Sequence, residues 1–325
     1  ELASVFTIDV AAYAVMSNHY HVVLRVDADR AAALTDDEVL ARWTRLFTGP
    51  MLVQRYVQPA TRATMGNAEC DKVREMAHTY RQRLCDLSWF MRVLNESIAR
   101  QANAEDGVKG HFWEGRFKSQ ALLDEQALLA AMAYVDLNPI RAGMVESLED
   151  SAHTSIAARL GELKGLPFVP VTAPGPTQTA ATAAAADGGN PGAQGAQPGA
   201  LRLPSLRPEQ DLAALPEAPL MPFDPTGRFA QSVPFGLQEY LELVDMTGRA
   251  VHPHKRGSIA VQTPAVLQRL GMDAEAFINA ADTFFRSFAS AVGTPAQLLQ
   301  WAAHRQQRAM RGMAAARQVF ERRAA

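Results

Sequence analysis

The stretch "FTIDVAAYAVMSNHYHVVLRV", residues 6–26, decides the fold class, because two β-rich runs lie on either side of a short break. Residues 6–16 and 20–26 hold the apolar and β-branched residues of strands, and "SNH" separates them, a pattern that predicts a β-hairpin. The second run alternates faces. Side chains two apart on a strand point the same way, so His19 and His21 project together while Tyr20 projects to the other side. Two adjacent imidazoles make half of a metal site; the pair also reads as exposed or hydrogen-bonded histidines beside a turn.

Beyond the hairpin the pattern becomes helical. "DDEVLARWTRLFT", about 36–48, suits a helix, and Gly49 and Pro50 interrupt it before "MLVQRYV". Met76, Leu84, Leu87, Phe90, Met91, Leu94 and Ile98 are spaced for one or two amphipathic helices within 71–103. "GHFWEGRFKSQALL", 110–123, shortens the period towards alternation and predicts a short extended segment or loop. A further helix over about 124–138 ends at Pro139, with Gly143 soon after. Residues 171–200 are Ala, Gly, Pro, Thr and Gln with almost no large apolar side chain, which predicts a flexible linker. After it, "LQEYLELVDMTGRA", "TPAVLQRLGM" and "DAEAFINAADTFFRSFASAV" read as separate helices. Arg305, Arg308, Arg311, Arg317, Arg322 and Arg323 then make an Arg-rich end.

A chain of 325 residues with 48% hydrophobic residues is long enough to bury a sizeable core in one large or two ordinary domains. A formal net charge of −2 excludes attachment to nucleic acid by bulk charge, so any such contact must be local. The two cysteines, Cys70 and Cys85, are too few and too far apart for a zinc knuckle and read as reduced thiols, which fits a cytoplasmic protein. No apolar run reaches the roughly 18 residues of a membrane span, and the first residues lack the basic start of a signal peptide.

A second constellation is "AYVDLNPIRAG", residues 133–143. Tyr134 and Asn138 are one helical turn apart and share a face, whereas Asp136 points away from them. That spacing also fits a tyrosine packed at a core edge with its hydroxyl satisfied, followed by an asparagine that caps the helix.

Taken in order, "AYAVMSNHYHVVL", "LSWFMRVLNESIAR", "GHFWEGRFKSQALLDE", "YVDLNPIRAG" and "HTSIAARL" resemble the HUH single-tyrosine transposases, and more closely the REP-associated tyrosine transposases, over about residues 6–160. The resemblance implies an α+β, ferredoxin-like HUH nuclease domain over 1–165, an antiparallel sheet with helices, here expected without the family's first strand and helix. A flexible Ala/Gly/Pro-rich linker is expected over 166–230 and a helical C-terminal extension with a basic tail over 231–325. It further implies that His19, His21 and Asn138 bind Mg²⁺ or Mn²⁺ and that Tyr134 is the nucleophile of a transposase-type single-strand DNA endonuclease and strand transferase. In such an enzyme the tyrosine takes the 5′-phosphate and a 3′-hydroxyl leaves. Imidazole and amide donors also suit zinc.

The partner implied is single-stranded or hairpin DNA, with no membrane. Phe112, Trp113 and Phe117 beside His111, Arg116 and Lys118 form the mixture that stacks unpaired bases and meets phosphates, although the same aromatics fit the core side of a strand. Arg92 and Arg100 extend the basic face, and a solvated helix face accounts for them equally. The Arg-rich end either adds salt-sensitive affinity or only solubilises. "HPHK", 252–255, holds a second histidine pair, but Pro253 gives it no strand geometry. For the C-terminal helices, target recognition and homodimer contacts are both open. Two other readings stand beside the enzyme: a non-catalytic hairpin or single-stranded DNA-binding remnant, and a helical interaction protein in which His-Tyr-His is incidental.

Overall fold

The computed structural model describes residues 1–165, 212–251, 264–280, 284–307 and 310–321. The predicted hairpin is present: β1 (Ile8–Val15) pairs antiparallel with β2 (Tyr20–Val26), with Ala14 opposite His21 and Val15 opposite Tyr20. A bulge between Val10 and Ala12 bends β1. The Met16 N–H donates to the His19 carbonyl at 2.9 Å and closes the turn.

Helices follow as α1 (Ala28–Ala33), α2 (Asp36–Leu46), α3 (Met51–Val57), α4 (Pro59–Arg62), α5 (Asn67–Leu84) and α6 (Leu87–Glu105). A capping box starts α2: the Thr35 hydroxyl accepts from the Glu38 N–H, and the Glu38 carboxylate accepts from the Thr35 N–H. Gly49, with a φ of +73°, and Pro50 separate α2 from α3 as the sequence predicts. The extended segment before the next helix keeps only β3 (Ala121–Leu122) as regular structure. Then come α7 (Glu125–Asp136), α8 (Asn138–Arg141), α9 (Ser155–Leu163), α10 (Leu237–Val251), α11 (Ala265–Arg269), α12 (Ala274–Ala280) and α13 (Phe284–Ser287). The last elements are β4 (Ala291–Val292), α14 (Pro295–His304) and α15 (Met313–Phe320). The architecture mixes helices with a small antiparallel sheet, and among the described residues no helix is long and apolar enough to cross a membrane.

The hairpin lies between two hydrophobic clusters, which is why both its faces are apolar. Tyr20, Val22 and Leu24 pack on one cluster, built from Trp43, Phe47, Tyr80, Leu84 and Phe90 of α2, α5 and α6 and their neighbours. Ala12, Ala14 and Val23 belong to the other, which α7 shares with residues of α10, α11, α13, β4 and α15. Small side chains on α7 let the hairpin and the C-terminal elements approach it from several sides, so most of that helix is buried.

Two expectations change. Residues 212–230, assigned to the linker by composition, include packed chain: Leu215 and Met221 are buried, and the Met221 N–H donates to the Val10 carbonyl at 2.9 Å. The end of "DAEAFINAADTFFRSFASAV" is not helical: Ala291 and Val292 form β4, parallel to β3, with Ala121 opposite Ala291. The C-terminal helices also share their core with α7 and β1, because α7 alone cannot cover its own apolar surface. The Ala/Gly-rich stretch 171–200, "HPHK" at 252–255, and Arg308, Arg322 and Arg323 lie outside the described residues.

A buried polar knot ties the layers together. Asp136, with no exposed surface, accepts from the Ser155 hydroxyl, the Ile156 N–H at 3.0 Å and the Tyr240 hydroxyl at 2.6 Å. One carboxylate thus satisfies donors from α9 and α10, as buried polar groups require.

Candidate functional site

The two histidines meet as the alternation predicts. Their ring centroids are 5.2 Å apart, with His21 on β2 and His19 just before it. His19 is exposed, and its Nδ1 lies 2.6 Å from the Asn18 Oδ1. That contact holds the proton on Nδ1 and leaves the Nε2 lone pair outward, the arrangement a metal ligand uses. His21 is half-buried. Desolvation, then the charges of His19 and Arg141, lower its pKa to about 4, so its ring is neutral at neutral pH.

Tyr134, near the end of α7, stands against this pair. Its ring centroid is 5.6 Å from that of His21, edge to face, although the two residues are far apart in sequence. The helix breaks at Leu137, and Asn138 becomes the first residue of α8 instead of the cap of α7. Asn138 is buried, and its Nδ2 has no hydrogen-bond partner. An amide turned over exchanges nitrogen for oxygen. An orphaned buried amide end four residues after Tyr134 in the sequence is a donor that a cation could use. Among the described residues no three His, Cys, Asp or Glu side chains gather as a metal group.

Two further residues complete the site. Arg141, two helical turns beyond Tyr134, places its guanidinium carbon 4.2 Å from the Tyr134 ring centroid. Phe285 of α13 stacks on His21 with centroids 6.0 Å apart and meets Tyr134 edge-on at 4.6 Å. The spacing of Arg141 on the face of Tyr134 is legible in the sequence, but Phe285 has no local signal because it arrives from the C-terminal region.

The expected DNA-contacting residues divide by environment. His111, Arg116 and Lys118 are exposed on the irregular segment before β3. Trp113 is half-buried: its indole N–H donates to the Asn95 carbonyl at 2.9 Å, and its ring meets Tyr20 edge-on. Phe117 packs against the α2/α5/α6 cluster, while Phe112 is 42% exposed. Of the three aromatics, only Phe112 is open to an unpaired base. Arg92 lies on α6 with its guanidinium over Trp89 and 4.0 Å from Glu96, which also pairs with Arg100 at 2.5 Å. Tyr20, on the face away from the histidines, donates to the Asn95 Oδ1 and anchors β2 to α6. No protein-family model, no curated protein and no solved structure matches the chain.

Proposed function

We propose that the chain is a metal-dependent tyrosine DNA endonuclease and strand transferase of the HUH single-tyrosine type, a transposase or a relative of one, working in the cytoplasm on single-stranded or hairpin DNA. The hairpin, the α7 helix behind it and the α+β architecture are compatible with a ferredoxin-like HUH domain. The observation that carries the reading is the convergence of His19, His21 and Tyr134 in one cluster; the unpartnered buried amide of Asn138, four residues past the tyrosine in sequence, is a further donor.

In this reading His19 and His21 would offer imidazole nitrogens and Asn138 its carbonyl oxygen to Mg²⁺ or Mn²⁺. The bound cation would offset the charge that develops on a phosphodiester oxygen. The residues of the chain do the rest. Tyr134 Oη attacks phosphorus, the Tyr–O–P bond forms, and the P–O3′ bond breaks. The phenolic proton leaves to solvent and the 3′-oxygen takes up a proton. The 5′-phosphotyrosine retains a phosphodiester, so a later 3′-hydroxyl can reverse the step without a nucleotide cofactor. Arg141 lies close enough to the ring to offset negative charge on the phenolate or the phosphate.

The test is a covalent adduct. The full chain is incubated with 3′-labelled hairpin and single-stranded oligonucleotides in Mn²⁺ or Mg²⁺ and resolved on a denaturing gel, beside Tyr134→Phe and His21→Ala. A metal-dependent protein–DNA band lost in both variants is expected. A band that survives Tyr134→Phe puts the nucleophile elsewhere. DNA bound without a band under either metal makes the protein a non-catalytic binder.

A further inference from the structure

The C-terminal region does more than cover α7: it forms one side of a seam that opens at the candidate site. Its other side is the segment Arg116–Leu122. Gln120 joins the two, its side-chain amide donating to the carbonyls of Phe285 (3.1 Å), Phe288 (3.2 Å) and Ala289 (2.6 Å). The Ala121 N–H donates to Ser290 and the Leu123 N–H to Val292, both at 2.9 Å, and the Asp124 carboxylate accepts from the Thr294 N–H at 2.7 Å. The seam is therefore a fixed joint.

Four cations lie on the segments that meet there. Arg116 and Lys118 lead into Gln120 on one side, and Arg286 follows Phe285, the residue that touches both His21 and Tyr134. Arg311 bonds the Arg286 carbonyl at 3.2 Å and so lies on the same side. All four are exposed. Among the described residues none of them pairs with a carboxylate, whereas Lys72, Arg74, Arg92 and Arg100 on α5 and α6 all do. Exposed cations without a carboxylate partner, carried by the segments on both sides of a fixed joint, suit a chain of phosphates better than a single anion. An aromatic ring at the end of the row suits a strand with unpaired bases.

We propose that the C-terminal region forms one bank of a single-stranded DNA track leading to Tyr134, with Arg286 and Arg311 contacting backbone phosphates opposite Arg116 and Lys118. The inference rests on the DNA reading given above and deepens it by assigning the C-terminal region a share of substrate binding.

The experiment measures equilibrium binding of a labelled single-stranded oligonucleotide to the full chain as a function of KCl, for the wild type, Arg286→Ala/Arg311→Ala and Arg45→Ala. Arg45 is exposed on α2, away from the seam in sequence and core. Two lost phosphate contacts should make the slope of log K against log salt shallower by about 1.4, at roughly 0.7 per contact for single strands. Arg45→Ala should leave it unchanged. An unchanged slope in the double variant overturns the track. So does equal binding of heparin, which would mark a general polyanion surface. If no adduct forms with any protein while the double variant still loses slope, the catalytic reading fails and the track stands. A wild type that binds no single strand removes both.

Discussion

A buried carboxyl and a half-buried imidazole titrate in opposite senses, and separating them tests the site and the core together. Desolvation raises the Asp136 pKa from 3.8 to about 6, against the opposing pull of its hydrogen bonds and of Arg159. The folded state therefore holds this proton more tightly than the unfolded chain. The stability it contributes is complete at low pH and is lost as pH rises from about 4 through 6, a change of about 3 kcal/mol at 1.36 kcal/mol per pKa unit. His21 behaves inversely. Its pKa falls from 6.5 to about 4, so its contribution is present above about 6.5 and is lost as pH falls through 4. After allowance for the part of the ring that faces water, that loss is about 2–3 kcal/mol. The two terms oppose one another between pH 4 and 6. Urea unfolding in chelator across pH 4 to 7.5 should show Asp136→Asn gaining about 3 kcal/mol on the wild type as pH rises through that window, and His21→Gln losing about 2–3 kcal/mol on it. Asparagine is nearly isosteric and can still accept from Ser155 and Ile156, so packing changes little. Variant curves parallel to the wild type, or displaced in the same sense as each other, would refute the assigned environments.

Other positions give simpler expectations. Gly312 has a φ of +109°, and an added Cβ would lie 2.7 Å from Phe288 Cδ1, so Gly312→Ala should cost about 1–3 kcal/mol in urea unfolding; no loss would show that the turn relaxes freely. Trp43, fully buried and stacked on Phe47 (4.3 Å) and Tyr80 (4.6 Å), should cost about 3–5 kcal/mol as alanine, measured the same way. Gln120→Leu releases three carbonyls, and hydrogen exchange should speed up at residues 285–292 while the β1–β2 hairpin keeps its protection. Uniform exchange in both regions would separate the seam from Gln120.

The hairpin was legible because strand alternation is local: Tyr20, Val22 and Leu24 face one core while His21 and Val23 face the other. The α2, α5 and α6 helices were legible for the same reason, from apolar spacing and from punctuation such as Gly49–Pro50. The candidate site was readable as two separate pairs, His19 with His21 and Tyr134 with Asn138, but their juxtaposition depends on α7 packing across β1 and β2, which no local pattern encodes. The aromatics of "GHFWEGRF" show the limit of reading composition as function. Stacking on DNA and packing on a core ask for the same side chains: Phe117 went to the core, Trp113 is half-buried against Asn95 and Tyr20, and Phe112 stayed open. Phe285 and β4 were hidden by their own neighbours, since a helical spacing over 273–288 runs straight into two residues that pair with a distant strand.

That pairing sets an order of events during synthesis. Among the described residues Ala121 and Leu122 find their strand partners in Ala291 and Val292, so a growing chain that already holds both histidines and Tyr134 still lacks the Phe285 ring that packs against them. Contacts this distant in sequence close late, after local hairpins and helices have formed. The ribosome thus delivers Tyr134 well before the aromatic ring that packs against it, and a nascent or prematurely ended chain presents Tyr134 and His21 without Phe285.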